Sequence, residues 1–320
     1  MVNPIALINK KVDIPVWSIK VFKSNNTLKV KPKDPILGKP TIQASDVTDV
    51  KAQFVADPFL ITHDSKFYMF FEVLNKQNEL GEIGLATSEN GEEWSYDRIV
   101  LREKWHLSYP YVFKDKDQIY MVPESVAANG VFLYKAKNFP YEWEKVTQLV
   151  NGNYVDSTIF KYKGKWWMFS ASNGDTLHLF FSNQIEEGWV EHPKSPIISG
   201  NINISRPAGR VVIKSEGLYR FAQDGFPAYG TLVKSIKINK LSETEYEEEE
   251  DKIILTGSGK SSDWRKSGMH QIDQIQIKDN EWMIALDGHI FIPRNYLFWQ
   301  FERLLRNPRK SLFRVFKKVF

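Results

Sequence analysis

One spacing, met three times, constrains this chain more than any other feature. A lead residue stands twelve positions ahead of a methionine set among aromatic and apolar residues: Asp57 before Met69, Tyr109 before Met121, Asp156 before Met168. The first copy runs Asp57-Pro58-Phe59-Leu60, then a polar turn at His63-Asp64-Ser65, then Phe67-Tyr68-Met69-Phe70-Phe71. The second runs Tyr109-Pro110-Tyr111-Val112-Phe113, then Ile119-Tyr120-Met121-Val122; the third runs Asp156-Ser157-Thr158-Ile159-Phe160, then Trp166-Trp167-Met168-Phe169. Looser copies start at Arg206-Pro207 and at His270, so successive leads lie 52, 47, 50 and 64 residues apart. Apolar alternation on both sides of a polar turn predicts a hairpin in each copy. A further strand-like run and a tryptophan follow the first three copies, ending at Trp94, Trp143 and Trp189. About four strands per roughly fifty residues is the pattern of a propeller blade. The expected fold is all-β: a five-bladed β-propeller over 1–293, with a strand near Val16-Trp17-Ser18-Ile19 to close the ring. A short amphipathic helical tail follows over 294–320. A β-sandwich would not set the same polar lead at the same distance three times.

Composition narrows the chemistry. With 42% apolar residues in a chain of 320 there is ample material for a core. The absence of cysteine removes disulfide frameworks, thiol catalysis and thiolate metal sites. The net charge of +4 is uneven, because 294–320 holds eight basic side chains against Glu302 alone. That tail is +7 and the remainder −3, so the body has no general charge for nucleic acid. No apolar run reaches the roughly 18–20 residues of a membrane span. The N-terminus lacks the apolar core and cleavage site of a signal peptide, and a cytoplasmic protein is expected. GxSxG, HExxH and GxGxxG motifs are absent. Gly257-Ser258-Gly259 reads as a flexible loop, and Glu247 to Asp251 as a solvated charge run in a loop.

The innermost strands of a propeller surround its axis, so the leads Asp57, Tyr109, Asp156, Arg206 and His270 should converge on one mouth. Charged side chains are rarely buried unpaired, which suits a site better than core filler. The plainer alternative is that Asp57 and Asp156 pair with Arg206 or cap turns. At a remote level the leads resemble the five-bladed glycoside hydrolases of the arabinanase and β-xylosidase type. That resemblance implies a general base at Asp57-Pro58 and an orienting, pKa-tuning acid at Val155-Asp156-Ser157. The same resemblance implies a general acid at the lead of blade four, where this chain has Arg206. An arginine cannot donate a proton at neutral pH, so an ordinary two-carboxylate hydrolase is disfavoured.

A closer resemblance covers roughly 16–290. The strings DVTDVKAQFVADPF, GEIGLATSENGEEW, SYPYVF, VPES, HPKSPI, SRPAGR, RFAQD and GMHQID resemble the N-terminal propeller of plant glucosamine inositolphosphorylceramide transferases and its free-standing bacterial relatives. The resemblance implies a carbohydrate-linked role in cell-surface polysaccharide or glycolipid biosynthesis. Nothing in the chain resembles the separate nucleotide-sugar transferase domain of the plant enzymes.

Further residues complete the expected site. Glu72 and Glu124 end second strands in FFE and VPE contexts, and either can replace the missing acid if burial raises its pKa. Arg206 and Arg210, with His270, suit phosphate or carboxylate. Asp224 and Asp273 are further candidates for the axial pocket. The expected catalytic set is thus Asp57, Asp156, Glu124 and Glu72; the expected substrate-binding set is Tyr109, Arg206, Arg210, Asp224, His270 and Asp273. No metal and no cofactor are expected, since one histidine with remote acids is a weak ligand signal. The partners expected are a sugar, nucleotide-sugar or lipid-linked sugar. The residues fit an enzyme acting on a glycosidic or sugar-phosphate linkage; the alternative is a non-catalytic module that presents a glycan to a separate glycosyltransferase.

In the tail the apolar period changes from 2 to 3.6. Leu297, Phe298, Phe301, Leu304 and Leu305 share one helical face, which is expected to pack under the propeller. Pro308 then breaks the helix. Leu312, Phe313, Phe316, Val319 and Phe320 repeat the spacing among basic residues, and 309–320 is expected to meet an anionic membrane, placing the protein at the inner face of the cell membrane.

Overall fold

The computed structural model describes residues 9–25 and 38–306. Five antiparallel sheets form the blades of a propeller. Blade one comprises β2 (Ala52–His63), β3 (Lys66–Asn75), β4 (Leu80–Ser88) and β5 (Ser95–Leu101). Blade two comprises β6 (Ser108–Asp115), β7 (Gln118–Glu124), β8 (Gly130–Asn138) and β9 (Glu142–Asn151). Blade three comprises β10 (Val155–Tyr162), β11 (Lys165–Ser172), β12 (Thr176–Ser182) and β13 (Val190–Glu191). In blade four, β14 (Arg206–Pro207) and β15 (Val212–Lys214) share the neighbour β16 (Gly217–Asp224), followed by β17 (Leu232–Leu241) and β18 (Tyr246–Thr256). Blade five is built from β19 (Ile272–Lys278), β20 (Glu281–Asn295) and the first strand of the chain, β1 (Lys11–Ser24). β1 pairs with β20 from Lys11 opposite Asn295 to Ser24 opposite Trp282, which ties the two ends of the ring together. Four strands per blade hold for the first three blades; blade four has five and blade five three.

The repeated methionines explain the packing. Met69, Met121 and Met168 are fully buried among the aromatics of adjoining strands, where an unbranched side chain fills irregular gaps between blades. The constant distance from lead to methionine has a backbone cause. Asp57, Tyr109 and Asp156 all lie in the left-handed region, at φ of 54°, 45° and 52°. Each sits where the inner strand slips register against its neighbour: Ala56/Phe59, Ser108/Tyr111 and Val155/Thr158. A bulge of this kind re-aims one residue, at a conformational cost that surrounding bonds must offset.

Blade four breaks its inner strand differently. Gly209 (φ 136°) lies against blade five, and a Cβ there would come within 1.7 Å of the Ile272 carbonyl oxygen. Only glycine fits, and its N–H donates to the Tyr109 hydroxyl at 2.7 Å.

Two expectations are corrected. The acidic run Glu247–Asp251 is not a loop but part of β18, where it lies opposite the lysines of β17. Lys234 meets Glu250 at 3.2 Å, and buried Arg220 grips Glu248. Cross-strand charge pairing, absent from the one-dimensional pattern, makes an acidic strand tolerable. The second correction concerns α1 (Tyr296–Arg306). Its apolar face does not pack under the propeller: Leu297, Phe298, Phe301, Leu304 and Leu305 are exposed. The polar face is turned inward instead, with Arg303 bonded to Glu79 at 2.6 and 3.1 Å. The expected second helix over 309–320 lies outside the described residues.

Candidate active site

Bulge geometry turns the lead residues of blades one and two toward the acid of the preceding blade. The Asp57 N–H donates to Asp287 Oδ2 (3.0 Å), and the Tyr109 N–H donates to Asp57 Oδ2 (3.2 Å). Asp287, on β20, also accepts from the backbone N–H groups of His270 and Gln271 and lies 2.8 Å from His270 Nδ1. His270 Nε2 faces Asp57 Oδ1 at 3.4 Å. Burial opposes a charge on His270, but Asp287 and Asp57 outweigh it and lift its pKa to about 9. Trp17 of β1 stacks on that imidazole at 4.0 Å. Burial pushes the Asp57 carboxyl well above its usual range; His270 pulls it back, while Glu72, Asp156 and Asp287 push it further.

A second group forms around Arg206. Its Nε donates to Asp156 Oδ2 at 2.5 Å, and its guanidinium lies 3.7 Å from Glu124 Oε2 and 5.0 Å over the ring of Tyr229. Gln223 adds a second donor to Asp156 Oδ2 at 2.8 Å, while its own Oε1 is buried with no hydrogen-bond partner among the described residues. Glu124, at the end of β7, accepts from Ser108 Oγ at 3.2 Å. Burial and the Asp156 charge raise its pKa to about 7 against the pull of Arg206 and His106. Glu72 does not end its strand as expected but lies within β3, which continues to Asn75, and it stands 3.2 Å from His106 Nε2. The Gly81 N–H donates to His106 Nδ1, so in the neutral ring the proton sits on Nε2 and faces Glu72. Burial lowers the pKa of His106, but Glu72 raises it more.

Other expected site residues serve the frame. The Tyr109 side chain is fully buried and links blades through Thr158 Oγ1 (2.8 Å) and Gly209. Arg210 and Asp273 bind each other at 2.9 Å, and Arg210 also donates to the carbonyls of Leu60 (3.3 Å) and Val112 (2.9 Å). Asp273 accepts from the Leu60 N–H at 2.7 Å, so this pair stitches blades one, two, four and five together. Asp224 caps the Phe226 N–H at 2.9 Å and pairs with Lys234 at 3.3 Å. Asp57, Glu72, Glu124, Asp156, Arg206 and His270 are the expected residues that share one field.

Asp287, Trp17, Gln223, His106 and Tyr229 were not anticipated. Asp287 had a signal: an acid follows the blade's methionine by three at Glu72 and Glu124, and by four at Asp287 after Met283. Asp57, His270 and Asp287 each place a possible metal-ligand atom within 4.8 Å of the others. The His270 ring already stands between the two carboxyl groups there, 3.4 Å from Asp57 and 2.8 Å from Asp287.

Residues 13–289 match the family described as glucosamine inositolphosphorylceramide transferase 1, N-terminal. The chain belongs to that family. It is 35% identical over 247 residues to glucosamine inositolphosphorylceramide transferase 1 of Oryza sativa subsp. japonica, a match covering 74% of this chain and 33% of the relative. The same enzyme of Arabidopsis thaliana is 33% identical over 297 residues, covering 85% and 39%. The chain therefore spans between a third and two fifths of the length of these curated relatives. Among solved structures, β-1,2-mannobiose phosphorylase from Listeria innocua aligns with a TM-score of 0.57 at 13% identity, covering 77% of this chain and 94% of that one. An exo-β-1,3-galactanase from Clostridium thermocellum aligns with a TM-score of 0.52 at 13% identity, covering 65% and 51%. At such identities the likeness is one of fold.

Proposed function

We propose that the axial site acts on a glycosidic or sugar-phosphate linkage in the assembly of a cell-surface polysaccharide or glycolipid. Its substrate is a sugar carried on a nucleotide or a lipid. The observation that carries this reading is Glu124, a buried carboxyl with a pKa of about 7 beside an arginine, suited to hold or release a proton at neutral pH. Glu124 gives its proton to the leaving oxygen as the sugar C–O bond breaks. Asp57, in the form ionised against His270, takes the proton of the acceptor hydroxyl as the new C–O bond forms. Asp156, fixed by Arg206 and Gln223, sets the field beneath the sugar, and the guanidinium of Arg206 meets an anionic group such as phosphate. His270 and Asp287 hold Asp57 in place.

The short Arg206–Asp156 pair favours a second reading. A carboxylate already neutralised by an arginine suits holding a glycan better than turning it over, and the propeller would then present its ligand to a separate glycosyltransferase. A screen of nucleotide sugars and phospholipid-linked sugars by thermal shift, followed by product analysis, separates the two. The catalytic reading expects a stabilising ligand that is consumed, with turnover falling at least about 100-fold in Glu124→Gln while stabilisation persists. The binding reading expects stabilisation and no product from the wild type. A screen in which no sugar ligand stabilises the protein removes both.

A further inference from the structure

An ordinary surface helix turns its apolar stripe to the core and its charges to water. The reverse holds for α1. All five residues of its stripe are exposed, Phe298 at 58% and Leu305 at 67%. The outward direction is set by polar contacts on the other face: Arg303 with Glu79 of blade one, and Glu302 with Arg294 at the end of β20. The entry to the helix is fixed as well, since the Tyr296 N–H donates to the Lys10 carbonyl and the Lys10 ammonium lies over the Tyr296 ring. Exposed Phe291 and Ile292 precede the helix, and Ile292 and Leu305 line one cavity of about 430 Å³ with Trp299, Ile14 and Val16.

An apolar patch of this extent marks an interaction surface. The sequence that follows supplies its charge complement. Residues 307–320 carry Arg309, Lys310, Arg314, Lys317 and Lys318 and no acid, interleaved with Leu312, Phe313, Phe316, Val319 and Phe320. A second copy of this chain would oppose two +7 segments to each other. A surface that is anionic outside and apolar beneath satisfies both features. We propose that α1 and the basic segment after it dock the propeller on an anionic lipid bilayer. Phe298, Phe301 and Leu305 enter the headgroup region, and the arginines and lysines of 309–318 meet lipid phosphates.

The full-length protein can be sedimented with vesicles of phosphatidylcholine alone and of phosphatidylcholine mixed with phosphatidylserine, at low and raised salt. The expected result is binding to the mixed vesicles at least about tenfold tighter than to neutral ones, weakening as salt rises. Phe298→Asp with Phe301→Asp, and separately the change of Arg309, Lys310, Arg314, Lys317 and Lys318 to Gln, should each weaken binding at least about tenfold with Tm unchanged. Wild-type protein that ignores anionic vesicles, or variants that bind as the wild type does, would overturn the proposal. So would lipid-free self-association that the Phe298→Asp/Phe301→Asp variant abolishes, which makes a second copy the occupant. A clear drop in Tm for that variant would mean that the chain itself covers the stripe, and would overturn it equally.

Discussion

The two halves of the buried cluster formed by the lead residues hold similar side chains to different ends. On the blade-five side, Asp287 accepts four hydrogen bonds, from the N–H groups of Asp57, His270 and Gln271 and from the His270 ring. On the blade-two side, Glu124 has one hydroxyl donor at 3.2 Å and an arginine at 3.7 Å. Both carboxyls are buried, and Glu124, with few donors around it, has its pKa raised to about 7 by burial and the Asp156 charge. The contrast teaches how differently two buried acids of one site can be supplied with hydrogen-bond donors.

The largest effect should come from the crowded side. Asp287→Ala strips four donors of their acceptor and leaves His270 with Asp57 as its remaining ionic partner, so unfolding in denaturant should show a loss of about 3–5 kcal/mol. A loss below about 1 kcal/mol would break the comparison. A moderate effect belongs to pH. The pKa of Glu124 rises on folding from 4.5 to about 7, so its contribution is fully present below 4.5 and is lost as pH climbs through 7. That loss amounts to roughly 3 kcal/mol, and Glu124→Gln should flatten the fall of Tm between pH 4.5 and 7. His270, raised from 6.5 to about 9, has the same sign and adds a second fall between those values, which should survive in Glu124→Gln. The smallest effect lies outside that cluster. Lys237 pairs with Glu249 at 3.8 Å on the exposed face of blade four, and Lys237→Ala should change stability by under about 1 kcal/mol.

Much of this arrangement was legible in the sequence because the blade repeats its covalent logic. A left-handed bulge and a hairpin of fixed length place Met69, Met121 and Met168 at one distance from their leads, so three strained positions could be counted before they were seen. Glu124 was legible as a strand-ending acid, whereas Glu72 was misplaced, because β3 continues past it to Asn75 in register with β4. Trp17 was not, because it reaches His270 only when the first strand of the chain closes the ring against β20. Arg210 and Asp273 looked like pocket residues because the sequence does not reveal that each finds the other across blades four and five. The period of α1 was legible, but its orientation was not: that depends on Arg303 meeting Glu79 in the turn between β3 and β4.

The central claim is that Glu124 handles the proton at the axis. Its most direct test is the pH profile of turnover on the ligand that the sugar screen selects. Wild-type protein should show an inflection near pH 7, and the residual activity of Glu124→Gln should lose it. The same inflection in Glu124→Gln, or no turnover at any pH, would contradict the claim.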